Sequence, residues 1–96
     1  MLRLPAQITL SEARQVRDTL LSQIPAETGA ELVLDASALT QVDSATLAVL
    51  LACRRQAPER RWVVQGAPAQ LSDLARLYGV DSLLGLQARS PQSSGV

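Results

Sequence analysis

The sequence predicts an α/β domain, with a mostly parallel sheet of about four strands and helices packed on it. Three observations lead there. Short apolar runs, Leu32-Val33-Leu34 and Trp62-Val63-Val64, are bounded by polar residues and have the length of buried strands. Between such runs lie segments whose apolar residues recur at three and four positions, the spacing of one helix face. The two kinds of segment alternate along the chain, which argues for parallel strands joined by right-handed helical crossovers.

Taken in order, Leu2 to Ile8 is a weak strand, and Pro5 inside it lacks the N–H that a central ladder needs, so the strand belongs at an edge or a bulge. Thr9-Leu10-Ser11-Glu12 has the pattern of a capping box, in which Thr9 and Glu12 satisfy each other's backbone N–H groups. In the helix that follows, Ala13, Val16, Leu20 and Ile24 share a face while Arg14, Arg17 and Asp18 point mostly to water; Pro25 and Gly29 end it.

The stretch Glu31 to Gln56 is the centre of the chain. It reads as a strand, a polar loop from Ala36 to Val42, and a helix starting at Asp43-Ser44. A loop at the carboxyl end of a parallel strand, beside a helix amino end, is where open α/β sheets place their sites. Asp43 and Ser44 are good acceptors for the first free N–H groups of the helix, worth about 1 kcal/mol, so a capping role alone accounts for both residues as well as a contact role does. In the helix, Leu47, Leu50 and Leu51 form one stripe and suit the sheet, while Ala45, Val49 and Ala52 lie roughly opposite. A helix apolar on both sides is covered on both sides, the second by another element of the domain or by a partner.

Past a polar break at Ala57 to Arg61, Trp62-Val63-Val64 resumes a strand, and Gly66-Ala67-Pro68 turns into a third helix with Leu71, Leu74, Ala75 and Tyr78 on its buried face and Gly79 as a left-handed stop. Val80 to Leu86 supplies a last short apolar strand or turn. Gln87 to Val96 lacks apolar residues to dock and is expected to be a disordered tail, leaving a domain over residues 1–86.

Composition narrows the function. A 96-residue chain makes one domain, which buries only roughly 60–65% of its unfolded surface, and cores this small are often completed by a partner. Nine basic and nine acidic residues cancel, so no overall field draws the molecule to nucleic acid or anionic lipid. Arg54, Arg55, Arg60 and Arg61 cluster near a helix carboxyl end, where they suit the dipole, and one Trp and one Tyr offer no stacking platform for bases. Cys53 is the only cysteine and reads as a small buried hydrophobe in a reducing compartment. No run approaches the about eighteen unbroken apolar residues of a membrane span, and the amino terminus is too short in apolar residues for a secretory signal, so a cytoplasmic protein without direct membrane insertion is expected.

Catalysis is not expected. There is no histidine, no cysteine pair or carboxylate cluster to hold a metal, and no GxxxxGKS/T or GxGxxG stretch to cradle phosphates, so neither a cofactor nor a metal is implied.

Two segments carry a family resemblance. LVLDASALTQVDSATLAVLL resembles the core of the STAS domain, in which a strand ends in Asp and a helix begins at Asp-Ser or Asp-Thr; VVQGAPAQLSDLARLYGVDSLL, and within it Leu74 to Tyr78, resembles the closing strand and helix of MlaB-type STAS subunits of bacterial phospholipid ABC transporters. The resemblance implies a cytoplasmic subunit, peripheral to the inner membrane, that binds the ATPase subunit of a phospholipid-transport ABC complex and supports it. Carried onto this sequence, the contact surface is Ser37, Thr40, Asp43, Ser44, Ala45 and Thr46, with Val49 one turn on. STAS domains open with a pair of strands, and only one fits here before the first helix, which leaves an edge that a homodimer could pair. The alternative within the same fold is an anti-sigma factor antagonist switched by phosphorylation, with Ser44 and Thr46 as candidate acceptors, although Ala45 occupies the usual acceptor position.

Overall fold

The computed structural model describes residues 1–88. Its main sheet has four strands in the order β1 (Leu2–Arg3), β3 (Glu31–Asp35), β5 (Arg61–Ala67) and β6 (Leu86–Ala88), every pair parallel. A second, two-stranded parallel sheet pairs β2 (Gln7–Ile8) with β4 (Gln41–Val42). The helices are α1 (Ala13–Gln23), α2 (Ser44–Arg54), α3 (Ala69–Leu77) and the single turn α4 (Asp81–Leu84). The α/β class with a parallel four-stranded sheet is as the alternating pattern predicted.

The strand order advances by one neighbour at each crossover, and right-handed crossovers in one direction put all the helices on one face. Burial follows: Leu32 and Leu34 on the helical face are wholly buried, while Glu31, Val33 and Asp35 on the other are not. On that opposite face Glu31 stands beside Arg61 at 3.7 Å, an exposed pair worth little. The core between sheet and helices is built from Leu20, Leu32, Leu34, Leu50, Val64, Leu71 and Leu84, with Trp62 also buried.

Several elements differ from expectation. Leu2 to Ile8 forms two short strands on either side of Pro5: β1 on the edge of the main sheet, and β2 in the small one. Both precede α1, and they do not pair with each other. Thr9 and Glu12 make only half of a box. The Glu12 carboxylate accepts from the Thr9 backbone N–H at 3.0 Å, but the Thr9 hydroxyl donates to that carboxylate at 2.7 Å instead of accepting from a backbone N–H, and α1 begins at Ala13. Tyr78 is 57% exposed; it caps the end of α3 and does not share its buried face. Val80 to Leu86 holds, as expected, a short turn, α4, ended by Gly85 in the left-handed conformation, and the start of a strand. Strand β6 then takes in Gln87 and Ala88, the first two residues of the expected tail; residues 89–96 lie outside the described residues.

Thr9's two hydrogen bonds hold the Glu12 carboxyl below its ordinary pKa, and the Ser37 backbone N–H, 3.0 Å from the Asp35 carboxylate, does the same for Asp35. A carboxyl with a folded-state pKa below its unfolded value binds protons more tightly when unfolded. Its contribution is therefore complete above the unfolded pKa and is lost as pH falls through the folded one. The urea midpoint is expected to be flat above about pH 5 and to fall below about pH 4, less steeply in Glu12→Gln than in the parent.

Candidate functional site

The site is assembled where the small sheet meets the start of α2. Beyond the two paired residues of each strand, the Ala6 carbonyl accepts from the Thr40 N–H at 2.8 Å, the Gln41 N–H at 3.0 Å and the Thr40 hydroxyl at 3.2 Å. The segment entering α1 is thereby laced to the loop entering α2.

Asp43 is the N-cap of α2. One carboxylate oxygen accepts from the Ala45 N–H at 2.8 Å, as a cap should, and the other accepts from the Leu10 N–H at 3.4 Å, so the same side chain also holds the turn before α1. Thr46 completes a capping box from inside. Its hydroxyl accepts from the Asp43 N–H at 3.1 Å and donates to the Ile8 carbonyl in β2. Three backbone segments, at Ile8, Leu10 and Asp43, thus meet on two side chains.

This arrangement sorts the expected contact residues. Ser37, Thr40 and Ser44 are exposed, and Asp43 and Ala45 are half-buried. Thr46 is a correction. It is wholly buried with its hydroxyl engaged on both sides, so in the folded domain it is neither a surface contact nor a phosphate acceptor, but the residue that fixes the start of α2. Val49 is a second correction. Only 3% of it is exposed, because α1 packs against the side of α2 opposite the leucines, and a substitution there reads core stability rather than contact. The second apolar side of α2 is therefore covered in large part from within the domain.

What remains open on α2 is the stripe of Ser44 and Ala48, continued by Arg55 just past its end, with Leu51 and Ala52 half-exposed beside it. Along this stripe α1 and α2 leave a groove of about 550 Å³ that brings Asp43, Ser44, Ala45 and Val49 together with Leu10, Ala13, Arg14 and Arg17; Ser37 and Thr40 lie outside it. Leu10 and Ala48 were not picked out from the sequence. Leu10 sat within a capping pattern, and an exposed alanine in an apolar helix carries no signal of its own. Farther along α2, burial pushes the Cys53 thiol up to about 11, which leaves it protonated and inert at neutral pH.

Chemically, the site offers small apolar side chains, one exposed hydroxyl and backbone groups already engaged in caps. Among the described residues no group of three or more His, Cys, Asp or Glu is placed to hold a metal ion, and no helix is long and apolar enough to cross a membrane. Such a surface is suited to binding another surface. The family model described as "Mlab, STAS domain" matches residues 1–86 of the chain. No curated protein matches it.

Proposed function

The chain belongs to the MlaB-like STAS family, whose domains mediate protein–protein interactions, and from that premise we propose that it is a non-catalytic cytoplasmic subunit of a phospholipid-transport ABC complex. In this reading it binds the ATPase of that complex, supports its assembly and activity, and reaches the inner membrane only through it. The observation that carries the reading is the start of α2: an exposed Ser44 beside Ala45 and Ala48, held by the Asp43 and Thr46 hydrogen bonds, with no hydroxyl at the usual phosphate-acceptor position. A rigid, small-residue surface of this kind loses little entropy when a partner closes on it.

The direct test uses the purified ATPase and two exposed substitutions. Ser44→Glu places a carboxylate at the first residue of a helix, where the dipole favours it, so folding is unaffected while a partner meets a buried charge. Ala48→Arg fills the space above the groove. Each is expected to weaken ATPase binding by about tenfold or more with an unchanged urea midpoint. Parent-like affinity in both variants would remove the α2 start from the interface.

One observation favours a second reading. Ser44 is exposed at the first turn of a helix, open to a kinase, and a phosphate there would add about −1.5 to −2 charge at the contact. An anti-sigma factor antagonist would use this as its switch. Mass spectrometry after incubation with a cognate kinase decides it: stoichiometric phosphate on Ser44 supports the switch, and an unmodified chain supports the transporter subunit.

A further inference from the structure

We infer that the docking surface continues from α2 onto the turn at Leu10 and the arginine-bearing wall of α1, and that it is shaped for a partner helix with an apolar anchor and a row of carboxylates along one edge. The inference rests on the docking reading above and specifies the chemistry of the partner's face.

Leu10 is 81% exposed, more than any other large apolar residue of the described chain. It is not on a loose loop. Its own N–H donates to Asp43 at 3.4 Å; on one side of it Thr9 is bonded to the Glu12 carboxylate through both N–H and hydroxyl, and the Glu12 N–H closes the turn on the Thr9 carbonyl at 3.1 Å. An apolar side chain offered to water on a turn pinned at both ends is pre-organised for burial against a partner, and little ordering cost accompanies its desolvation. Beside it, Ala13, Ala45 and Ala48 keep the groove floor and rim shallow, so the backbone of an incoming helix can approach closely.

Basic side chains outnumber acidic ones along this groove, Arg14 and Arg17 against Asp43. Arg14 and Arg17 line the α1 wall. Among the described residues Arg14 has no ion-pair partner, and Arg17 has only the exposed Asp18 next to it at 3.3 Å, a pairing that solvent screens. The one carboxylate in the groove, Asp43, already accepts two backbone N–H groups, and the Glu12 carboxylate nearby is engaged by Thr9. Two guanidinium groups thus stand against the single Asp43 carboxylate of the groove, and Arg14 has no ion pair among the described residues. Carboxylates on the partner would complement them, and cationic residues would be repelled.

The test is made on the full chain with the ABC ATPase that copurifies with it, by measuring association and dissociation rates at low and high salt. Leu10→Ala is expected to weaken binding by about tenfold, mainly by faster dissociation. Arg14→Glu combined with Arg17→Glu is expected to weaken it by at least about tenfold, mainly by slower association, and to abolish the fall in affinity with salt that is expected of the parent. All three positions lie on the surface, and unchanged urea midpoints check that the fold is intact. If these variants bind like the parent while Ser44→Glu does not, the surface ends at α2 and this inference falls alone. Loss in Leu10→Ala without loss in the arginine reversals overturns the acidic-edge assignment. If Ser44→Glu also binds normally, or no ATPase copurifies, the docking reading falls and takes this one with it.

Discussion

Replacing Thr46 with valine is expected to cost the domain about 2–4 kcal/mol and to loosen the start of α2. Valine keeps the branched shape, so the core is not opened. It removes the hydroxyl that serves the Asp43 N–H and the Ile8 carbonyl, and leaves the first unpaired in a part-buried site and the second in a buried one. A buried polar group left without its partner costs about 1–3 kcal/mol, which sets the size of the effect. Thr46→Ser retains the hydroxyl and loses one methyl, at about 1 kcal/mol. Urea unfolding orders the three proteins, and hydrogen exchange at the Asp43 amide shows whether the local clasp has opened. A valine variant as stable as the parent, with a protected Asp43 amide, would mean that the hydroxyl is not what joins β2 to α2.

A larger effect is expected at Gly85. A β-carbon there would lie 2.0 Å from the Trp62 carbonyl oxygen and 3.1 Å from its carbon, and the residue has φ of +56°. The obstacle is backbone within β5, paired to β3 on its other side, and cannot swing aside as a flexible side chain could. Gly85→Ala must displace the α4–β6 connection, which breaks the bond from the Val64 N–H to the Gly85 carbonyl and detaches β6 from the sheet edge. Strain and overpacking together come to about 3–5 kcal/mol, a large share of the about 5–15 kcal/mol that holds a small domain folded. Gly79 provides the control. Its φ is +71° but nothing lies within 4 Å of an added β-carbon, so Gly79→Ala is expected to cost only about 1 kcal/mol. Equal midpoints for the two alanine variants would contradict this account of β6.

The parts of this fold that were legible in the sequence are those with a long periodic signal. Leu32 to Leu34 and Trp62 to Val64 read as strands because several consecutive apolar residues need burial, and α2 read as a helix because Asp43-Ser44 opens a run of leucines at helical spacing. The small sheet was not legible. β2 and β4 contribute two residues each, far apart in the chain, and much of their fastening comes from the Ala6 and Ile8 carbonyls, which any residue type could supply. Four residues are too few for α4 to show a period. Of the candidate site, Asp43 and Ser44 were recognisable from capping chemistry, whereas Thr46 and Val49 were expected at the surface. Helical spacing shows that α2 has two apolar sides but not that α1 covers the second, and a threonine in the first turn of a helix reads as solvent-facing until the carbonyl that receives its hydroxyl is known.

We propose that this STAS domain acts by holding an ABC ATPase against the exposed start of α2. The most direct measurement is affinity purification of the tagged full chain from its native cells, parent and Ser44→Glu in parallel, with copurifying proteins identified by mass spectrometry. The account predicts an ABC ATPase together with its membrane permease in the parent sample and their loss from the Ser44→Glu sample. Recovery of an anti-sigma kinase in place of the ATPase, or the same ATPase in equal amount from both samples, would contradict it.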